Sequence, residues 1–215
     1  GESRWMGPDG GDSYSSPHLL TIDGTQQVVL MSAKGATSLN PMDGKVLWTY
    51  DLPVSSRIVQ PAVMHDGEVL MSIGDVKGLC RINVSQSSGV WSVKERWTSS
   101  QLKPNFNDFV VHKGHAYGFN GPLLVCVNLD HGERMWRGGR YGGQLILLAD
   151  QDLLLILSEK GDLAMVQANP EKFNEMSRIK AIEGKTWNHP VLVGNILVLR
   201  NAQEMVAYQL SGVGT

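Results

Sequence analysis

Five hydrogen-bonding residues stand immediately before short apolar runs that are otherwise built from Val, Leu and Ile. They are Ser16, Gln60, Asn107, Gln144 and His189. Charged, amide or aromatic residues lie a few positions away from them, namely Arg57, Asp108, Arg140, Trp187 and Asn188. If the fold brings these segments together, their guanidinium groups, amides, imidazole and indole could hold a polar or anionic ligand. These ten residues are therefore the candidate ligand-binding residues.

The same polar residues have a structural alternative, which the sequence favours. Polar groups at the start of a buried strand must be paired with backbone groups or with water, whether or not a ligand binds. His189 would need a carboxylate or a second imidazole nearby to act as a base or a ligand, and Asp108 is the only acid at an equivalent position. A structural histidine beside Pro190 is the simpler interpretation of that residue.

No catalytic residue and no metal ligand is predicted. The serine pairs lack the Gly-x-Ser-x-Gly pattern of a hydrolase nucleophile. Cys80 and Cys126 have no CxxC partner and no neighbouring His, so we expect buried free thiols rather than a zinc site or a disulfide. The glycine-rich stretch 138–143 precedes an apolar run and lacks a phosphate-binding Gly-Lys-Ser/Thr, so a loop between repeats is expected there.

The composition excludes several classes of protein. Of 215 residues, 42% are apolar and 19% are charged, and the 19 basic and 21 acidic residues give a net charge of −2. This balance is not that of a nucleic-acid-binding or anionic-membrane-binding protein. No apolar run reaches the roughly 18 residues of a membrane-spanning helix. The expected partner is an unidentified protein or a small polar ligand.

An internal repeat of about 40 residues runs through the chain and must position the polar residues. A turn position recurs at Gly24, Gly67, Gly114, Gln151 and Gly194, and a tryptophan ends successive units at Trp5, Trp48, Trp97 and Trp136. Each unit holds three or four short apolar runs separated by Asp-Gly, Lys-Gly or Asn-Gly turns. The tryptophans are expected to pack between units rather than to bind carbohydrate. One helix-like patch stands apart, at residues 170–176.

This pattern predicts an all-β chain, a β-propeller of four-stranded antiparallel blades with about five repeats. The repeats are placed at 15–48, 59–97, 106–136, 143–178 and 187–210, within a single domain over 1–215. Residues 1–6 are expected to be a strand of a neighbouring or closing blade. A closed five-bladed ring and a part of a larger propeller both remain open. Because the first strand of a propeller blade is innermost, the candidate residues would surround one mouth of a central channel.

The ending Asp43-Gly44-Lys45-Val46-Leu47-Trp48 resembles that of the PQQ-type propeller repeat, named after pyrroloquinoline quinone. Stretches 97–99, 107–112 and 184–190 are similar to a bacterial group of PQQ-binding-like propeller proteins of about twice this length. The resemblance implies a periplasmic or otherwise exported protein, and most members of that group lack an established activity. The superfamily also contains the quinoprotein alcohol dehydrogenases and an outer-membrane assembly lipoprotein. The chain shows no signal peptide, and we interpret it as a fragment of a longer protein.

The resemblance leaves two functions open. Quinoprotein dehydrogenases carry a vicinal Cys-Cys pair and other cofactor signatures that this sequence lacks, so a noncatalytic binding or assembly module outside the cytoplasm is favoured. The alternative is a fragment of a PQQ-dependent alcohol or sugar dehydrogenase. In that case Arg57, Arg140 and Trp187 would clamp the planar tricarboxylate, and Asn and Asp oxygens would supply a calcium site.

Overall fold

The computed structural model describes residues 1–52, 58–65 and 67–210, which form nineteen strands in five antiparallel sheets. The first sheet contains β1 (His18–Ile22), β2 (Thr25–Ser32), β3 (Gly35–Leu39) and β4 (Val46–Asp51). The second contains β5 (Ala62–Val63), β6 (Glu68–Ser72), β7 (Leu79–Ser87) and β8 (Val90–Ser99). The third contains β9 (Val110–His112), β10 (His115–Asn120), β11 (Leu123–Asn128) and β12 (Arg134–Arg140). The fourth contains β13 (Gln144–Leu148), β14 (Leu153–Leu157), β15 (Asp162–Gln167) and β16 (Glu175–Lys180). The fifth contains β17 (Val191–Val193), β18 (Ile196–Arg200) and β19 (Met205–Gln209).

Every sheet is a meander in which consecutive strands are neighbours. The all-β class and the four-stranded antiparallel sheets that the repeat predicts are therefore confirmed. The fifth sheet has three strands among the described residues.

The hairpin between the first and second strands of each sheet falls at the recurring turn position. Gly24 and Gly114 have φ values of 71° and 75°, and the residues before them, Asp23 and Lys113, are also left-handed. Two consecutive residues with positive φ are what a tight hairpin with right-handed strand twist needs. In the fourth sheet the turn follows a short 3-10 segment, Ala149–Gln151, and Asp152 takes the left-handed conformation with φ of 55°.

A β-bulge recurs in the four complete sheets, where the third strand pairs with the fourth. The ladders shift register after Ser38, Arg81, Cys126 and Met165. The fourth-strand residues opposite those positions are Trp48, Trp97, Trp136 and Ser177. Trp48 and Trp136 are buried in apolar clusters, so the packing role expected for these two residues is confirmed.

The chain divides into two compact units, residues 1–106 and 107–215. In the first unit, the first two sheets share an apolar cluster that includes Leu20, Ile22, Val29, Met31, Val69, Met71 and Ile82. In the second unit, one cluster joins the third and fourth sheets through Tyr117, Phe119, Leu154 and Ile156, and another joins the fourth and fifth through Leu155, Leu157, Leu197 and Leu199. The prediction of a single domain with the stated repeat boundaries stays a prediction.

Three local features depart from the sequence expectation or were not foreseen. Residues 170–174 form a loop rather than a helix, because Phe173 packs edge-on against Trp136 with ring centroids 5.7 Å apart. The described residues contain one short α-helix, α1 (Gly74–Lys77), which the repeat does not predict. Residues 1–6 form no strand, and the Trp5 indole instead donates to the Pro41 carbonyl at 3.0 Å. Their role in a neighbouring or closing blade stays a prediction.

Cys80 and Cys126 are buried free thiols, as predicted. Burial raises the pKa of both thiols, that of Cys126 to about 12, so neither is activated as a nucleophile at neutral pH. Among the described residues, no helix combines the length and the apolar character needed to cross a membrane.

Candidate functional site

In the first unit, the two described candidate residues, Ser16 and Gln60, are exposed. Ser16 is an exposed residue two positions before β1. The Gln60 side-chain oxygen lies 3.2 Å from Nδ1 of His18, which links the starts of the first two sheets. Arg57 lies outside the described residues. The first unit therefore presents an amide and an imidazole side by side, with a hydroxyl two residues before that imidazole.

In the second unit, two amide side chains tie the starts of successive sheets together. Asn107, before β9, donates its amide to the Gly143 carbonyl just before β13. Gln144, the first residue of β13, is 6% exposed and donates to the Trp187 carbonyl at 3.3 Å. These bonds agree with the structural alternative for Asn107 and Gln144, in which a polar side chain satisfies a neighbouring backbone group.

Gly143 is needed where the Asn107 amide binds. A Cβ atom at this position would lie 1.8 Å from the Leu157 carbonyl oxygen, which is far inside van der Waals contact. Only glycine lets the backbone approach this closely while its carbonyl faces the Asn107 side chain. The segment before β13 is thereby fixed in position.

Asp108 and His189 form an acid–imidazole pair at the surface of the second unit. Nε2 of His189 lies 3.4 Å from Oδ2 of Asp108, and the side chains are 41% and 49% exposed respectively. Partial burial raises the pKa of Asp108, while a positive charge on His189 would act in the opposite direction. Both groups are thus available to a ligand and hold each other in place.

Trp187 is an exposed indole that the protein nevertheless holds firmly. The side chain is 66% exposed, and its Nε1 donates to the Glu159 carboxylate at 2.9 Å. The Lys185 ammonium lies 4.5 Å from the ring centroid, within cation–π range. Thr186, between them, is buried and donates its N–H to the Glu159 carbonyl at 3.0 Å and its hydroxyl to the Arg200 carbonyl at 2.7 Å. The indole is therefore oriented before any ligand arrives.

The remaining two described candidates, Asn188 and Arg140, make fewer described contacts. Asn188 is exposed between Trp187 and His189. Arg140 is exposed at the end of β12 and pairs through its backbone with Leu123. The structure thus brings Asp108 to His189 and Gln144 to the segment of Trp187, while ligand binding by all ten candidates stays a prediction.

Glu159 and Lys185 are site residues that the sequence reasoning missed. Both support the Trp187 ring, one through its N–H and the other through its π face. Lys185 could have been found from its position two residues before an exposed Trp in Gly184-Lys185-Thr186-Trp187. Glu159 had no such signal, because it stands in a polar turn 28 residues before Trp187. Among the described residues, no group of three or more His, Cys, Asp and Glu side chains is arranged to hold a metal ion.

Several solved structures resemble this chain in fold. BamB from Moraxella catarrhalis gives a TM-score of 0.67 at 15% identity, over 94% of this chain and 59% of that one. AztD from Citrobacter koseri gives 0.59 at 12% identity, over 93% of this chain and 57% of that one. A functionally unknown protein from Desulfotomaculum acetoxidans gives 0.65 at 16% identity, over 95% of this chain and 71% of that one. The chain thus spans less than two thirds of the length of BamB and of AztD.

No protein-family model matches the chain, and no curated protein matches it in sequence. At identities of 12–16% the likeness to solved structures shows the fold alone. Together with the five meander sheets, it confirms the predicted β-propeller class. Membership of the PQQ-like family stays a prediction.

Proposed function

We propose that this chain is a noncatalytic β-propeller module that binds a protein partner or a small polar ligand outside the cytoplasm. The observation that carries the proposal concerns the polar residues near the starts of the strands in the second unit. These residues fall into two groups according to what their side chains contact. The amides of Asn107 and Gln144 are used to hold backbone segments. Asp108, Trp187 and His189 are left exposed and oriented, which is the arrangement of a recognition surface.

The chemistry of these three side chains defines what they can recognise. A half-exposed carboxylate accepts hydrogen bonds, an imidazole donates or accepts them, and an exposed indole offers a flat apolar face. Because Glu159 and Lys185 already fix the indole, little side-chain entropy is lost when a ligand packs on it. The surface therefore suits a partner that combines hydrogen-bond donors with an apolar or planar group.

A comparative affinity capture tests this function. The bait is the full chain with Asp108→Ala, Trp187→Ala and His189→Ala combined, set against the unchanged chain in an extract of the source organism. A matched control combines Tyr14→Ala, His131→Ala and Glu133→Ala, which removes an aromatic ring, an imidazole and a carboxylate from exposed positions elsewhere. We expect a partner that the unchanged chain and the control retain and the site variant loses. Equal retention by the site variant would contradict the proposal.

The extracytoplasmic location rests on the resemblance to exported PQQ-like propeller proteins. Cell fractionation of the full-length protein tests it. We expect the protein in the periplasmic or another exported fraction, and recovery with cytoplasmic markers would contradict this part of the proposal.

A PQQ-binding oxidoreductase is the second candidate, and the Trp187 ring with its neighbouring cation is the observation that favours it. A planar tricarboxylate could stack on an indole beside Lys185 and contact the exposed Arg140. The described donor set fits calcium poorly, since calcium takes six to eight oxygens and no cluster of acidic side chains is present among these residues. When bound, the cofactor would supply the two-electron oxidation of an alcohol or sugar. Dye-linked alcohol oxidation that requires added cofactor would favour this candidate.

A further inference from the structure

The starts of the third, fourth and fifth sheets are joined in a closed circuit of contacts. The contacting pairs are Asn107 with Gly143, Gln144 with Trp187, and His189 with Asp108. In each of the three segments the two contacting residues are adjacent or two positions apart, and consecutive Cα atoms lie only about 3.8 Å apart. The three segments therefore form one compact region. We refer to its exposed side chains, Asp108, Trp187, Asn188 and His189, as the recognition surface.

Trp187 differs from the other tryptophans in its exposure. The structure describes all six tryptophans of the chain, and Trp187 is the only one of them in the exposed class. Trp48 and Trp136, which pack in apolar clusters, are 4% and 8% exposed, whereas Trp187 is 66% exposed. A packing role between sheets therefore does not account for this indole, although Glu159 and Lys185 hold it in place.

The charges around the indole favour a neutral ligand. The Lys185 ammonium already lies 4.5 Å from the ring centroid, so a second cation stacked on this ring would meet a like charge. Asp108 and Glu159 place two carboxylates beside that single ammonium, and this excess of negative charge disfavours an anion. A ligand without net charge avoids both penalties.

We propose that the ligand of the recognition surface is a saccharide, with a sugar ring stacked on Trp187 and hydroxyl groups bonded to Asp108 and His189. The inference rests on the proposed function, because it assigns a class of ligand to the same three side chains. A sugar ring is neutral and presents an apolar face of C–H groups, which suits a flat indole. Each hydroxyl both donates and accepts hydrogen bonds, so the ligand can donate to the carboxylate and accept from the imidazole or from the Asn188 amide.

The exposure of the surface sets the expected affinity. The side chains of Asp108 and His189 are 49% and 41% exposed, so their bonds to a ligand replace bonds to water and add little net free energy. We therefore expect a dissociation constant of about 0.1–1 mM for an oligosaccharide. Trp187→Ala should weaken binding by roughly tenfold or more, whereas Trp187→Phe, which keeps a flat apolar ring, should weaken it by less than about threefold.

A microarray of neutral glycans, followed by calorimetry with the sugar that binds best, tests the proposal on the full chain. Tyr14→Ala is the matched control, because Tyr14 is an aromatic residue of the first unit that is 87% exposed. We expect binding by the unchanged chain and by the control, and its loss in Trp187→Ala. An array without a bound glycan, or a glycan that Trp187→Ala binds as well as the unchanged chain does, would overturn the proposal.

Indole N–H signals in proton–nitrogen correlation spectra give a second measurement on the unchanged chain. Addition of the selected sugar should shift the assigned Trp187 signal and leave that of Trp91, in the first unit, in place. An unmoved Trp187 signal would overturn the proposal even if the variants failed to fold. The affinity capture with the triple variant separates this proposal from the proposed function. A chain that binds no glycan but loses a protein partner in that variant overturns the saccharide assignment alone.

Discussion

Replacement of Glu68 by Ala should destabilise the chain by several kcal/mol, because this residue is a buried carboxylate held by two arginines. Its side chain is only 7% exposed. Oε2 accepts a hydrogen bond from Nε of Arg81 at 2.9 Å, and Oε1 accepts one from Nε of Arg96 at 3.0 Å. Arg96 lies at the bulge of β8, so the recurring bulge turns its side chain towards Glu68.

The magnitude follows from the unequal burial of the two partners. Removing one member of a buried ion pair typically costs about 3–5 kcal/mol, because the remaining charge loses its counterion in a low-dielectric site. The Arg81 side chain is 15% exposed and would lose its hydrogen bond to this carboxylate, whereas Arg96 is 47% exposed and can return to water. We therefore expect a loss near the lower end, about 3 kcal/mol for Glu68→Ala. Glu68→Gln keeps one oxygen acceptor and should cost about 1–2 kcal/mol.

Urea unfolding followed by far-UV circular dichroism measures these losses. Glu171→Ala is the control, since Glu171 is an exposed acid in the loop before β16, and it should change the free energy of unfolding by less than about 0.5 kcal/mol. A loss below about 1 kcal/mol for Glu68→Ala would refute the reasoning, because it would mean that the carboxylate contributes no more than a surface ion pair.

Three further predictions concern other polar groups and one strand edge. Gln27 occupies the position in the first sheet that Glu68 occupies in the second, but its side-chain oxygen accepts hydrogen bonds from the neutral side chains of Ser38 and Trp48. Gln27→Glu should therefore lower the melting temperature at pH 7, and lower it less at pH 5, where a buried carboxyl is protonated. A change in melting temperature that is independent of pH would contradict this prediction. Hydrogen bonds from Arg178, together with one from Tyr141, hold the pKa of Glu175 below its usual value. Glu175 therefore stabilises the fold above about pH 4.5, and this stabilisation is lost as the pH falls through the lowered pKa. Glu175→Gln should therefore be less stable at pH 7, and in thermal melts the difference should shrink below pH 4. On β19, the ladder with β18 leaves the backbone N–H groups of Ala207 and Gln209 pointing away from the sheet. These amides should exchange with deuterium faster than the amides of Val206 and Tyr208. Equal protection would mean that a fourth strand covers this edge in solution.

The repeat could be predicted from sequence because its signals are local. Apolar runs, Asp-Gly turns and a spaced tryptophan lie within one unit, and each has a physical counterpart in a strand, a hairpin or a packed ring. The pairing of Asp108 with His189 was also within reach, since both precede a first strand and equivalent positions in a repeat adopt equivalent places. The loop at 170–174 was harder to predict from the sequence, because it depends on the packing of Phe173 against Trp136 in another sheet.

The buried charge and the support of the candidate site could not be predicted, because both depend on contacts between residues far apart in sequence. A glutamate that begins a strand is normally exposed, and only the fold brings Arg81 and Arg96 to Glu68. The Asn107 amide donates to the carbonyl of Gly143, 36 residues away. Because every residue has a backbone carbonyl, the sequence does not indicate which one accepts this bond. The orientation of Trp187 depends on Glu159, which looks like any polar turn residue.

The claim that this chain is a noncatalytic binding module is tested most directly by a calorimetric titration with pyrroloquinoline quinone, with and without calcium. The same samples are then assayed for dye-linked alcohol oxidation. For a noncatalytic module we expect no saturable, calcium-dependent heat and no turnover. Saturable, calcium-dependent binding in the micromolar range, lost in Trp187→Ala and accompanied by turnover, would contradict it and establish the oxidoreductase.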